Sequence, residues 1–129
     1  MIYLANAFSL SMLSETNLLH LIVRPISAGT VATHLHIATR LQAVPWTSVV
    51  GHAPTAAVFE SLLGLTIPVN RISIALTPED LLYVGQYVGS RLPEGATVLP
   101  DGATIRWYHI TVRAAGVLAN PLHVLSAAD

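Results

Sequence analysis

Apolar residues recur along the chain in short runs, and most of these runs have the character of β-strands. Six segments combine β-forming residues with an apolar run or a two-residue alternation, and turn-forming residues separate them. We predict strands over residues 2–7, 18–24, 48–50, 71–76, 81–88 and 104–112. Pro25 is expected to end the second strand, because proline has no backbone N–H to donate to a sheet.

Two other segments have the three- to four-residue spacing of an amphipathic helix. The first begins after Ser27, a good N-cap residue. The residues at helical spacing are Val31, Leu35, Ala38 and Gln42. The second covers residues 55–63, with Pro54 in its first turn and Gly64 at its end. Because strands outnumber helices and short turns alternate with helical crossovers, the pattern predicts an α/β fold: a single domain with a central mixed β-sheet flanked by helices.

The composition narrows the class of protein further. The 129 residues are 53% hydrophobic and 10% charged, which supports a folded core and excludes a disordered chain. There is no cysteine, so disulfides and thiolate metal sites are excluded. No apolar run approaches the roughly 18 residues of a membrane helix, and the opening segment lacks the positive residues of a signal peptide. We therefore expect no membrane association.

The charge balance argues against a long nucleic acid as partner. Six arginines, no lysine and seven acidic residues give a formal charge of −1 at pH 7, which is unlike the broad cationic surface of proteins that bind any duplex. A few converging arginines can still hold a small anion, because the guanidinium fork suits phosphate. The low charged fraction also suggests that a second subunit covers part of the surface, as in a homodimer.

His52 is the strongest candidate for chemistry. It follows Gly51, which permits a close backbone approach, and it precedes the start of the second predicted helix. Free backbone N–H groups at a helix start favour a bound phosphate. The phosphate in turn stabilises a protonated imidazole, which can then donate a proton to a leaving oxygen. The alternative is that His52 only caps the helix.

A loop after the fifth predicted strand supplies a second set of polar residues. Gln86 is followed by Arg91 and Glu94 in the segment Arg-Leu-Pro-Glu-Gly, where Pro93 restrains the backbone. Arg91 is suited to clamping a phosphodiester, and Glu94 to orienting it or binding a ribose hydroxyl. The alternative is a solvated Arg–Glu ion pair of little energetic value. Further polar candidates at strand ends are Arg71, Asn6 and Ser9.

His34 and His36 raise the question of a metal site. On a strand they would face the same way, but on the predicted helix they point to different faces, and no acidic residue nearby completes a set of ligands. We therefore expect no metal and no cofactor. One histidine, two or three arginines and neutral donors suit metal-free cleavage of an RNA phosphodiester, in which the neighbouring 2′-hydroxyl is the nucleophile.

Four motifs occur in an order and spacing that resemble the viral ring nucleases, a family of archaeal viruses, phages and CRISPR loci. The motifs are residues 3–9 (YLANAFS), Gly51-His52 with Thr55, Asn70-Arg71, and residues 91–95 (RLPEG). The likeness extends from about residue 2 to residue 112. It implies a ring nuclease-like domain over residues 1–112, whereas residues 113–129 form a C-terminal extension without a counterpart.

The resemblance implies a homodimer that binds cyclic tetra-adenylate, the second messenger of type III CRISPR immunity, across its two-fold axis. It also implies metal-independent cleavage to linear di-adenylate with 2′,3′-cyclic phosphate ends, which switches off CRISPR signalling in the cytoplasm of the cell or viral host. Carried onto this sequence, His52 is the general acid, Arg91 stabilises the phosphate charge, and Glu94 is the nearby acidic residue. The remaining ligand contacts that the resemblance implies are Asn6, Ser9, Gly51, Thr55, Arg71 and Gln86.

Two other functions remain open at the level of the sequence. The chain could bind and sequester a cyclic oligoadenylate without cleaving it. It could also be a DNA-binding viral regulator, for which dimerisation would serve. The near-neutral charge disfavours the DNA-binding function, because duplex binding depends on many cationic contacts to phosphate.

Overall fold

The computed structural model describes residues 1–14, 18–42 and 44–115 of the chain. In chain order its elements are β1 (Ile2–Ala5), β2 (Leu19–Ile26), α1 (Ala28–Leu41), β3 (Trp46–Ser48), α2 (Ala53–Leu63), β4 (Leu81–Val88) and β5 (Thr104–Ala114). A one-turn 3₁₀ helix, Leu10–Met12, follows β1. Neither α-helix among these residues has the length and hydropathy needed to cross a bilayer.

The five described strands form one sheet in the order β2-β5-β4-β1-β3. β1 lies between β3 and β4 and is parallel to both, whereas β5 is antiparallel to β2 and β4. This mixed sheet with its two helices confirms the predicted α/β fold. Because β1, β3 and β4 are parallel, their last residues lie at the same edge of the sheet, which we call the carboxyl edge.

Local signals determine where both helices begin and end. The Ser27 hydroxyl accepts a hydrogen bond from the Thr30 N–H at 3.1 Å, as expected of an N-cap. Gly64 ends α2 in the left-handed conformation, with a φ of 69°, which glycine adopts without strain. Three of the four residues at the predicted helical spacing, Val31, Leu35 and Ala38, are buried in α1, whereas Gln42 is the exposed C-cap residue that follows the helix.

Each face of the sheet carries an apolar cluster. Both helices pack on one face, in a cluster that includes Leu35, Phe59 and Trp107. The opposite face, which we call the second face, is covered by irregular segments around residues 8–13 and 74–76. These segments pack on Leu82 and Ile110 of the sheet. The predicted flanking helices are therefore on one side only, within the described residues.

The predicted strand over residues 71–76 is wrong. These residues form an irregular segment near the carboxyl edge. The Asn70 N–H donates to the Val50 carbonyl at 2.8 Å, and the Leu76 N–H donates to the Met12 carbonyl at 2.7 Å, but these bonds are isolated and do not form a ladder. The alternation arises because Ile74 and Leu76 pack on the second face, which gives a period of two without a strand partner.

Four other strands have limits that differ from the prediction. β2 continues through Pro25 to Ile26, because an edge strand needs only part of its N–H groups for pairing and can accommodate a proline. β3 covers Trp46–Ser48 rather than 48–50, and its partner β1 ends at Ala5 rather than residue 7. β5 continues to Ala114, so residues 113 and 114 of the expected C-terminal extension belong to it. Residues 116–129 lie outside the described residues.

Candidate functional site

His52 lies just beyond the carboxyl edge, as the N-cap residue of α2. Its side chain makes no capping hydrogen bond to a backbone N–H. Instead, Nδ1 lies 3.0 Å from the hydroxyl oxygen of Thr55, one turn further along the helix. The imidazole therefore contacts α2 through the Thr55 hydroxyl and not through a backbone N–H group.

The irregular segment that contains Asn70 and Arg71 places Arg71 beside His52. The Asn70 side-chain amide donates to the Ser48 carbonyl at 2.8 Å, which attaches this segment to the end of β3. Arg71 Nε then donates to the Gly51 carbonyl at 2.5 Å. A Cβ atom at Gly51 would lie 2.9 Å from Arg71 Cγ, so the close approach of the two residues requires glycine at this position.

The loop after β4 brings Arg91 and Glu94 to the same part of the molecule. Leu92, which separates them, is only 7% exposed and anchors the loop to the interior. At the start of the loop, the Tyr87 hydroxyl donates to the Ser90 carbonyl. The charged side chains on either side of Leu92 remain exposed and available to a ligand.

His52, Arg71, Arg91 and Glu94 line one open cavity of about 920 Å³. We call it the histidine cavity. It combines two guanidinium groups and one carboxylate with the start of α2, where free backbone N–H groups favour an anion. Among the described residues, Arg91 and Glu94 form no ion pair with each other. The arrangement can hold a phosphate beside a proton donor.

A second cavity, of about 470 Å³, lies on the second face of the sheet. It is lined by the amide side chains of Asn6 and Gln86 together with the aromatic residues Phe8 and Tyr108. We call it the amide cavity. Amide groups can form paired hydrogen bonds with adenine, and aromatic rings can stack on a base. No residue lines both the histidine cavity and the amide cavity.

A family model described as STIV B116-like matches residues 2–109, which is most of the chain. The chain belongs to the STIV B116-like family. Its structure is similar to that of B116 of Sulfolobus turreted icosahedral virus, with a TM-score of 0.70 and 23% sequence identity. The likeness covers 85% of this chain and 97% of that one, and at this identity it shows a common fold. No curated protein matches the chain.

The nine site residues that the sequence analysis predicts fall into three groups. Four of them line the histidine cavity and two line the amide cavity, while Ser9, Gly51 and Thr55 line neither. The Ser9 hydroxyl accepts from the Ser11 N–H at 3.2 Å and caps the 3₁₀ helix. Thr55 is only 6% exposed and contacts His52. One chain therefore does not gather all nine residues around a single cavity.

The two histidines that raised the question of a metal site make separate contacts. His34 and His36 both lie in α1. His34 Nδ1 is hydrogen-bonded to the Tyr83 hydroxyl, and His36 Nε2 lies 3.1 Å from the Leu63 carbonyl oxygen. Residues 1–14, 18–42 and 44–115 contain no group of three side chains placed to hold a metal ion. Both histidines attach α1 to neighbouring elements.

Sequence patterns do not point to two polar residues that line these cavities. Thr97 lines the histidine cavity from the loop after β4, two residues beyond the RLPEG motif and outside it. Tyr108 lines the amide cavity from β5, where it lies opposite Val84 of β4. Alternation along β5 indicates which of its residues share a face. Only the pairing of β5 with β4 places Tyr108 near Gln86, and no local signal encodes that pairing.

Proposed function

We propose that this chain is a metal-independent ring nuclease that binds cyclic tetra-adenylate and cleaves it to linear di-adenylate with 2′,3′-cyclic phosphate ends. The observation that carries the proposal is the histidine cavity. In it, His52 lies at the start of α2, and Arg71 and Arg91 line the same cavity from two other segments. A proton donor beside two phosphate-binding groups suits phosphodiester cleavage. The resemblance of four sequence motifs to the viral ring nucleases supports the choice of substrate.

In the proposed reaction, the 2′-hydroxyl oxygen of one adenosine attacks the adjacent phosphorus atom. The bond from phosphorus to the 5′-oxygen of the next adenosine breaks. The attacking hydroxyl releases its proton to solvent, and the departing 5′-oxygen takes a proton from His52 Nε2. Each cut leaves one 2′,3′-cyclic phosphate and one 5′-hydroxyl, so that two cuts convert the ring into two di-adenylates.

The charged residues of the histidine cavity have complementary roles in this proposal. Arg91 and Arg71 offset the negative charge that develops on the pentacoordinate phosphorus. Glu94, three residues after Arg91, orients the phosphodiester or accepts a hydrogen bond from a ribose hydroxyl. The amide cavity supplies Asn6 and Gln86 as candidate contacts to the adenine bases.

The proposed active form is a homodimer. A ring of four identical units on a two-fold axis presents equivalent phosphodiesters to two copies of His52, so two opposite cuts follow from one binding event. Apolar residues exposed on β2 support an interface on the second face, where Leu21 is 40% and Val23 is 47% exposed.

We expect Val23→Asp to yield monomers in sedimentation experiments, because a charged side chain in an apolar interface disfavours association. Ile37→Asp, on the helix side of the sheet, is the control and should leave the dimer intact.

The proposed biological role follows from the product. Linear di-adenylate no longer carries the cyclic signal, so the enzyme would switch off type III CRISPR defence. The proposed location is the cytoplasm, or the host cytoplasm if the gene is viral.

The deciding experiment is incubation of the purified protein with cyclic tetra-adenylate in EDTA, followed by chromatography and mass spectrometry. We expect linear di-adenylate with 2′,3′-cyclic phosphate ends. Intact ring after prolonged incubation, despite tight binding, would identify a sequestering protein instead. Failure to bind the ring, together with duplex DNA binding that weakens steeply with salt, would favour the DNA-binding regulator.

A further inference from the structure

Thr55 differs from the other expected ligand contacts because it is buried beside the catalytic candidate. Its side chain is only 6% exposed, and it does not line the histidine cavity. Its hydroxyl oxygen lies 3.0 Å from His52 Nδ1. Residues three apart on a helix are neighbours, and the N-cap residue and the third helical residue have this spacing. The placement suits a partner of the imidazole better than a contact to a ligand.

The contact with Thr55 determines which imidazole nitrogen is available to the cavity. The two ring nitrogens point in different directions, so a ring that directs Nδ1 toward α2 directs Nε2 away from the helix. A hydroxyl can either donate or accept a hydrogen bond. When Nε2 gives up its proton, Nδ1 keeps its own, so the Nδ1–H group can donate to the hydroxyl oxygen both before and after the proton transfer.

Nδ1 makes no capping hydrogen bond to a backbone N–H group at the start of α2. Pro54 has no N–H, and the Ala56 N–H donates to the His52 carbonyl at 3.0 Å. Without the hydroxyl of Thr55, the exposed imidazole would rotate more freely about its side-chain bonds. Loss of orientation lowers the rate of a proton transfer even when the proton donor itself is retained.

We propose that Thr55 is a positioning residue for His52, whose hydroxyl holds Nδ1 so that Nε2 faces the histidine cavity. The contact itself is independent of the reaction, but its catalytic consequence rests on the proposed ring nuclease function. Thr55 acts through His52 and does not touch the cyclic nucleotide. This assignment differs from the ligand contact that the family resemblance implies for Thr55.

The kinetic test compares Thr55→Val, which keeps the shape of the side chain, with Thr55→Ser, which keeps the hydroxyl. We expect Thr55→Val to lower the cleavage rate about tenfold while the dissociation constant for cyclic tetra-adenylate stays within about twofold. Thr55→Ser should retain most of the rate. In a His52→Ala background, Thr55→Val should cause no further loss, because the residue through which it acts is gone.

Two kinetic results would overturn the assignment. If Thr55→Val weakened binding of the ring at unchanged rate, the hydroxyl would be a ligand contact. If Thr55→Val caused the same loss with and without His52, it would act by another route. Thr55→Ala serves as a second hydroxyl-free variant if Thr55→Val fails to fold, with circular dichroism as the check on folding.

A spectroscopic test separates this inference from the proposed function. Proton–nitrogen correlation spectra report the two imidazole nitrogens of His52, which the His52→Ala variant assigns by the loss of their signals. We expect the Nδ1 signal to shift in Thr55→Val and to stay close to the wild type in Thr55→Ser. If the wild type does not cleave the ring, the proposed function fails, but these spectra still decide the contact. Unchanged imidazole signals in Thr55→Val would refute the contact between Thr55 and His52 Nδ1.

Discussion

His52 lines a cavity together with two arginines, Arg71 and Arg91. His34 and His36 instead contact groups within the fold. The difference lies in the surroundings of the imidazole, since the residue type is the same. At the scale of single residues, the proposed function therefore depends on the neighbours of His52, namely Thr55 at Nδ1 and the arginines across the cavity.

Replacing His52 by alanine removes the proposed general acid. We expect His52→Ala to lower the rate of ring cleavage by about 100-fold or more, which is typical for the loss of a general acid. Affinity should stay nearly unchanged, because the proton is transferred only in the transition state. Single-turnover cleavage and equilibrium binding measure the two effects separately. His20→Ala, in an exposed strand position, is the control, and normal turnover in His52→Ala would contradict the assignment.

Arg91 is expected to contribute to both binding and catalysis. Its guanidinium can hold the phosphodiester before the reaction and stabilise the additional charge during it. Arg91→Ala should therefore weaken binding of the ring and lower the cleavage rate together. The matched control is Arg40→Ala, which removes an exposed arginine from the last turn of α1. Loss of rate at full affinity would show that Arg91 does not hold the substrate in the ground state.

At the scale of elements, close packing around β4 holds the sheet against α2. Gly85 lies in the middle of this strand, where glycine ordinarily weakens a sheet. Its missing side chain leaves room for the rings of Phe59 and Trp107, whose centroids lie 4.8 Å apart. A Cβ atom at Gly85 would lie 2.6 Å from an atom of each ring. The glycine is therefore required by packing between elements.

Gly85→Ala tests this packing. The added methyl group must displace two buried rings, and we expect it to reduce the free energy of unfolding by about 1–3 kcal/mol. The matched control is Gly29→Ala in the first turn of α1, where a Cβ atom would meet only the Ser27 hydroxyl at 3.9 Å. That change should leave stability unchanged or raise it by about 0.4–1 kcal/mol. Chemical denaturation measures both, and equal effects would refute the packing argument.

A cluster of titrating side chains around His109 makes the stability of the whole molecule depend on pH. In the register of the sheet, Arg24 and Tyr83 lie on either side of His109, on the helix-facing side. Burial lowers the pKa of His109, and the charges of Arg24 and His34 lower it further. Burial also raises the pKa of Tyr83, which keeps its hydroxyl neutral. His109 therefore binds a proton less readily in the folded chain than in the unfolded chain.

The lowered pKa of His109 predicts a loss of stability in acid. Unfolding restores its pKa toward the ordinary value of 6.5, so below that pH the unfolded chain binds the proton more readily than the folded chain. The contribution of His109 is complete above pH 6.5 and is lost as the pH falls through its lowered pKa. Denaturation at several pH values should show a weaker acid dependence in His109→Gln than in the wild type. His20→Gln, the control, should behave like the wild type.

The sequence alone determined the features that depend on neighbouring residues in the chain. The N-cap at Ser27 and the glycine stop at Gly64 were confirmed, because capping involves only a few consecutive residues. The fold class and the strand over residues 81–88 were confirmed as well. Placing His52 at the start of α2 was possible for the same reason, since Pro54 marks the first turn.

Which distant segments of the chain meet depends on how the whole sheet packs. A strand exists where a partner backbone pairs with it, so the alternation of residues 71–76 was misleading and Pro25 did not end an edge strand. The convergence of Arg71 and Arg91 on His52 depends on two loops anchored by separate contacts. The separation of Asn6 and Gln86 into another cavity depends on strand order. Local composition cannot encode such contacts, because they join residues far apart in the chain through the packing of the whole sheet.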